Sequence, residues 1–174
     1  GSDTWATSYT LAAAIRKIGE VDVILCGKQA SDGDTAQVGP GMAAHLGLPQ
    51  VTYVRKIEEI DAKHVVAERL LEGGYEVIDC PIPCLLTVVK EINEPRLPSL
   101  KGKMAARKAQ IPTWTAEDIR AEKDKIGLDG SPTKVVKIFT PAPRAGGEML
   151  KGEPEQVVPQ LVGKIKDVIL GAAK

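Results

Sequence analysis

Residues 21–46 read VDVILCGKQASDGDTAQVGPGMAAHL. Val21 to Cys26 is a short, β-branched, nearly continuous apolar run, the pattern of a strand covered by helices on both sheet faces. Met42 to Leu46 is helical in character. Between them, Gly27 to Gly41 holds four glycines, two acids (Asp32, Asp34) and two amides (Gln29, Gln37). A plain connection does not need so many hydrogen-bonding side chains.

Upstream, Asp3-Thr4 has the form of a helix cap, and Leu11, Ile15 and Ile18 recur at helical spacing until Gly19 ends the segment. Downstream, Gly47 and Pro49 close the second helix and Val51 to Val54 reads as the next strand. Helix, strand, loop, helix, strand predicts an α/β fold: an open, mostly parallel twisted sheet with flanking helices, Rossmann-like, with its ligand crevice at the carboxyl ends of the strands.

The middle of the chain differs. Val65–Leu70 and Tyr75–Asp79 flank Glu72-Gly73-Gly74, which predicts a small antiparallel hairpin. Leu85 to Val89 reads as a further buried strand, followed by the loop Asn93–Pro98 and a basic helix over 99–109. Beyond Ile111 the expectations are a short polar helix at 116–120, a turn at 127–132 and a strand at 135–139. Pro141 to Gly147 reads as a linker, and Val157, Leu161, Ile165 and Ile169 mark a terminal amphipathic helix that tolerates Pro159 near its start. The expected division is a nucleotide-binding α/β domain over 1–140, incomplete at its amino end, and an extended arm over 141–174 that packs on a partner.

The 174 residues carry 23 basic and 23 acidic side chains, so no global field attracts nucleic acid or an anionic membrane. With one Phe, three Tyr and two Trp there is no base-stacking platform beside Lys101, Lys103, Arg107 and Lys108. No apolar stretch approaches the ~18 residues of a membrane span, and Gly1-Ser2-Asp3-Thr4 lacks a signal-peptide pattern, so a cytoplasmic protein is expected, or one of the mitochondrial matrix in a eukaryote. Cys26, Cys80 and Cys84 are expected to be reduced structural thiols, and isolated His45 and His64 build no metal site. No nucleophile triad or acid-base pair is evident, which disfavours a self-contained enzyme.

A strand-to-helix junction gathers unpaired N–H groups and positive dipole potential, which suits a phosphate. The loop is neither a Walker motif nor a clean G-x-G-x-x-G. Asp34-Thr35-Ala36-Gln37 fits a capping box; in that register Pro40 falls inside the helix, so the first turn is distorted or the helix begins nearer Gly39. Asp32-Gly33 fits a turn or a hydroxyl ligand. From the residues alone, the reading is a nucleotide or phosphorylated cofactor at this turn.

The loop resembles the "GKQAxDxDxxQxG" segment of the electron transfer flavoprotein beta-subunit family. Residues 67–78 (AERLLEGGYEVI), then Pro83–Thr87, are similar to the family's central hairpin and following strand, Asn93–Arg96 with Leu100 to its recognition loop, and Asp3–Thr7 to its "DT-x-AT" helix start. Family members carry further residues ahead of that helix, so this chain is expected to be a fragment. The resemblance implies that Gly27, Gln29, Asp32, Asp34, Thr35, Ala36, Gln37 and Val38 bind AMP or a second FAD, the other FAD lying mainly on an alpha subunit. It implies that Pro98, Leu100 and Lys101 dock an acyl-CoA dehydrogenase-type partner, and that the carboxyl-terminal helix clasps the alpha subunit. Asp32–Pro40 (DGDTAQVGP) is more similar to the bifurcating type, which takes electrons from NADH, than to the AMP type. The rival is an adenine-nucleotide-binding regulatory module of the universal-stress-protein kind, without electron transfer.

Overall fold

The computed structural model describes residues 1–143 and 146–172. The chain divides into two units, residues 1–136 and 137–174.

The first unit opens with helix α1 (Thr4–Ile18), capped by Asp3, whose side chain accepts from the Ala6 amide at 3.0 Å. Strand β1 (Val23–Gly27), helix α2 (Val38–Leu46) and strand β2 (Gln50–Ile60) follow; then come β3 (His64–Leu71), β4 (Gly74–Pro81) and β5 (Cys84–Val88). These five strands form one sheet in the order β1-β5-β2-β3-β4. β5 runs parallel to both β1 and β2, whereas β2/β3 and β3/β4 are antiparallel. The sheet is therefore mixed rather than mostly parallel. The cause is chain length: only residues 61–63 join β2 to β3, too few for the crossover that parallel neighbours require.

β5 is the centre of the core. Leu85 faces Met42 and Ala43 of α2, while Cys84 and Leu86 face Val51, Val54, Val65, Ala67 and Cys80 on the other side. Burial on both faces accounts for the unbroken apolar run in its sequence. It also raises the thiol pKa of Cys80, and carries that of Cys84 to about 11, which leaves both protonated at neutral pH. Within the first unit, α2 lies on the sheet and α1 packs chiefly on α2.

α2 sits very close to its neighbours. A Cβ on Gly39 would stand 2.6 Å from Thr87 Cγ2 of β5, and one on Gly41 would stand 2.6 Å from Ser8 Oγ of α1. Among the described residues, Gly27 and Gly33 have open space at the same position. The glycines of the helix start thus serve packing, where the sequence suggested close approach to a ligand.

Later segments depart from expectation. Residues 116–120 make a single turn held by Thr115 and Asp118, and residues 135–139 are irregular and exposed, not a strand. Helix α3 (Leu100–Lys108), capped by Ser99, matches the expected basic helix and has no buried residue. In the second unit, α4 (Pro154–Ala172) exposes Leu161, Val168 and Ile169 and contains Pro159. Of the expected linker, Arg144 and Ala145 lie outside the described residues.

Two measurements check this packing. Gly39→Ala should cost about 1–3 kcal/mol in urea denaturation, because Thr87 is buried and cannot yield to the new methyl group; an unchanged midpoint would contradict the close approach. The two histidines should titrate on opposite sides of 6.5. His45, which packs against Trp5 and Tyr9, is held low by burial and then by the charges of Arg16 and Lys125. His64 is raised by its hydrogen bond to Asp61. Stability linked to His45 is therefore full above 6.5 and declines as pH falls below it; that linked to His64 is full below 6.5 and is lost as pH rises through its elevated folded value. NMR titration of the two imidazoles, with Asp61→Asn returning His64 towards 6.5, reads both shifts.

Candidate functional site

The loop that leaves β1 is closed by its own hydrogen bonds. Lys28 N–H donates to Val88 O at 2.9 Å, extending the β1/β5 ladder by one rung. The Gln29 carboxamide then donates to Asp34, Asp34 N–H donates to Ala30 O at 3.0 Å, and Gly33 N–H donates to the Asp32 carboxylate at 2.9 Å. Asp34 and Ala36 both adopt left-handed backbone, with φ of 50° and 54°. For a non-glycine residue this geometry costs about 1–3 kcal/mol and persists only where neighbours enforce it.

Asp34 is not a helix cap. α2 starts at Val38 with Gln37 as its N-cap residue, and the Gln37 side chain makes no capping bond. Proline explains the register. A helix begun at Thr35 would need an amide hydrogen at residue 40, whereas a start at Val38 puts Pro40 in the first turn, where none is required. The later of the two starts allowed by the sequence is the one adopted. Gln37 Oε1 instead accepts from Thr4 Oγ1 at 3.1 Å, joining the amino ends of α2 and α1.

This junction forms one wall of an open cleft of about 1110 Å³. Ala30, Asp32, Gly33, Thr35, Gln37 and Val38 line it from the loop, Thr4, Trp5 and Ser8 from α1, and Pro132 to Val135 from a segment bonded to Asp3. Amide hydrogens in the first turns of both helices have no intrahelical acceptor, so two positive dipole ends share the cleft. Asp32, Thr35, Gln37 and Val38 of the expected nucleotide residues thus come together here. Gly27 closes β1, while Asp34 and Ala36 shape the loop without lining the cleft.

Gln29 faces a second crevice, about 840 Å³, at the carboxyl ends of β1 and β5. Lys28, Tyr53 and Arg69 also line it; the Lys28 ammonium lies 5.0 Å from the centre of the Tyr53 ring. Tyr53 is held at φ 60°, its amide donating to Thr87 Oγ1 at 3.1 Å. This crevice was not visible in the sequence, because it depends on a bulge in β2 between Val51 and Val54. The segment 132–135 was missed as a wall of the first cleft for a related reason: it read as a turn and a strand, and only long-range bonds to Asp3 bring it there.

The residues expected to dock a partner lie elsewhere. Pro98, Leu100 and Lys101 are exposed around the start of α3, Leu100 at 77%, and none of them lines either crevice. No helix among the described residues is long and apolar enough to cross a membrane.

Comparison with known proteins places the chain in a family. Residues 1–119 match the electron transfer flavoprotein domain family. The chain is 49% identical over 168 residues to caffeyl-CoA reductase-Etf complex subunit CarD of Acetobacterium woodii, a match covering 96% of this chain and 64% of that protein. It is 48% identical over 174 residues to the electron transfer flavoprotein subunit beta of Megasphaera elsdenii, covering 95% and 64%. It is also 42% identical over 172 residues to the acryloyl-CoA reductase electron transfer subunit gamma of Anaerotignum propionicum, again covering 95% and 64%. The chain thus spans 64% of the length of these relatives. With the family match extending from α1 past α3, the chain belongs to the electron transfer flavoprotein family, and its relatives include that family's beta subunits.

Proposed function

We propose that the larger cleft seats an adenine nucleotide, either AMP or the ADP half of a second FAD, in the beta subunit of a heterodimeric electron transfer flavoprotein. One observation carries the reading: the loop and the amino ends of two helices converge on a single cleft with separate sets of donors and acceptors. The Val38 amide, the Thr35 hydroxyl and the Gln37 carboxamide are donors suited to phosphate oxygens. Asp32 offers acceptors suited to ribose hydroxyls. Gly33, with open space at its Cβ position, leaves room beside them. The chemistry and volume of the site fit the group.

The redox step belongs to the flavin when it is bound. This chain's residues would bind the nucleotide and orient it through the loop frame. Two relatives are named for caffeyl-CoA and acryloyl-CoA reductase systems, which favours acyl-CoA dehydrogenase-type partners, with NADH as donor in a bifurcating assembly. Pro98, Leu100 and Lys101 are the proposed docking points for such a partner, and the arm over 141–174 is proposed to pack on the alpha subunit. A stand-alone nucleotide-binding stress module would share the sheet, but the family match over 1–119 favours the carrier.

Thr35→Ala and Gln37→Ala should each weaken AMP binding by about tenfold or more, the worth of one hydrogen bond to a charged group, while the circular dichroism spectrum stays unchanged. Equal affinity in both variants overturns the site. Co-expression with the alpha subunit and a count of flavins per heterodimer separates the ligands: two flavins support FAD in this cleft, one flavin plus AMP supports AMP.

A further inference from the structure

We propose that Asp3 is a positioning residue that holds residues 131–135 as a strap at the edge of the cleft, so that Lys134 is presented to the phosphates of the nucleotide. This inference rests on the nucleotide reading of the cleft and adds the residues that complete it.

Hydrophobic burial does not hold the strap. Residues 132–135 have no regular secondary structure and are all exposed, Val135 at 80%. Segments with so little buried surface fray unless specific bonds tie them down. Here those bonds converge on one residue far away in sequence. Asp3 N–H donates to Ser131 Oγ at 2.9 Å, and Asp3 Oδ2 accepts from both Thr133 N–H, at 2.9 Å, and Thr133 Oγ1, at 3.0 Å. Ser131 is itself buried and donates to Gly127 O at 2.6 Å, fixing the turn before the strap.

The Asp3 carboxylate is shared between two tasks. Oδ1 caps α1, and any Ser, Thr or Asn would serve that purpose. Oδ2 has no part in the cap and is engaged wholly by Thr133. The bonds from the Ala6 amide and from Thr133 lower the carboxyl pKa, so the charge persists at neutral pH and is spent on the chain's own donors, not on a ligand.

The consequence lies at Lys134. It is the one lysine or arginine among the described residues lining this cleft; Lys28, at the start of the loop, lies instead over Tyr53 in the other crevice. Asp3 and Asp32 also line the cleft, so a phosphate there gains from a nearby cation, and Lys134 is the cationic side chain that the described lining supplies.

The test uses Asp3→Ser, which keeps the cap on α1 and removes the acceptor for Thr133, together with Thr133→Val and Lys134→Gln in the full chain. Hydrogen exchange without ligand should rise about tenfold or more at the Thr133 amide in Asp3→Ser, with the Ala6 amide still protected. AMP affinity should fall about tenfold in Asp3→Ser and Lys134→Gln, and by a smaller factor in Thr133→Val, whereas adenosine, which lacks phosphate, should bind each variant as it binds the wild type. Unchanged exchange at Thr133, or wild-type AMP affinity in Asp3→Ser and Lys134→Gln, overturns the strap while leaving the site intact. A wild-type chain that binds neither AMP nor adenosine overturns the nucleotide reading itself, and the strap's role with it.

Discussion

The close seating of α2 between β5 and α1 is the constraint on which the rest of the structure depends. Only hydrogen atoms at residues 39 and 41 allow it, since a Cβ at either would stand 2.6 Å from Thr87 or Ser8. That contact brings Leu85, Met42 and Ala43 into one buried cluster, and it sets the amino end of α2 beside that of α1, near enough for Thr4 and Gln37 to share a hydrogen bond. Were α2 lifted by the width of a methyl group, the core on that face would open and the two helix dipoles would no longer converge on one cleft. Packing and site geometry are thus set by the same two glycines.

A site suited to phosphate might be expected to avoid acids, yet Asp3, Asp32 and Asp34 all stand at or near this cleft. Their hydrogen bonds resolve the difficulty. Asp3 is taken up by Ala6 and Thr133, Asp34 by Gln29, and one oxygen of Asp32 by the Gly33 amide. These carboxylates act largely as framework: they hold turns, a helix end and a distant strap in place. What they leave facing the cleft is mostly donors, and the polarity of the site follows from that division more than from the count of charged residues. Two left-handed residues in the loop, Asp34 and Ala36, fit the same account, because a frame of fixed bonds can sustain strain that a free loop would relax.

Much of this was legible in the sequence wherever the determining interaction is local. Asp3 as a cap, the glycine turn between β3 and β4, the buried β5 and the basic α3 each depend on residues a few positions apart, and their patterns predicted them. The sequence allows two registers for the start of α2, and Pro40 selects the later one. The failures have a common cause. Residues 135–139 (VVKIF) have the composition of a strand but pair with no neighbour among the described residues, and 116–120 carries helical residues in a segment too short to nucleate beyond one turn. The bulge at Tyr53 and the strap over 131–135 depend on contacts between distant parts of the chain, for which no local pattern exists. The two crevices share a loop, and only the three-dimensional arrangement assigns Gln29 to one and Gln37 to the other.

The exposed apolar residues complete the argument. Within the first unit the core is small and centred on β5, yet Leu97, Leu100 and Val136 stand 95%, 77% and 97% exposed; within the second, the apolar residues of α4 have no buried cluster of their own among the described residues. Helical periodicity reports that a face is apolar, but it cannot say whether the same chain or another covers it. A protein that closed every apolar face on itself could hold a nucleotide but would have nothing with which to meet a redox partner. Here the loop and the Asp3 end of the cleft are tied by internal hydrogen bonds, while Leu97, Leu100 and Val136, outside the sheet, stand exposed. Exposed apolar surface of this extent is what contact with another chain uses.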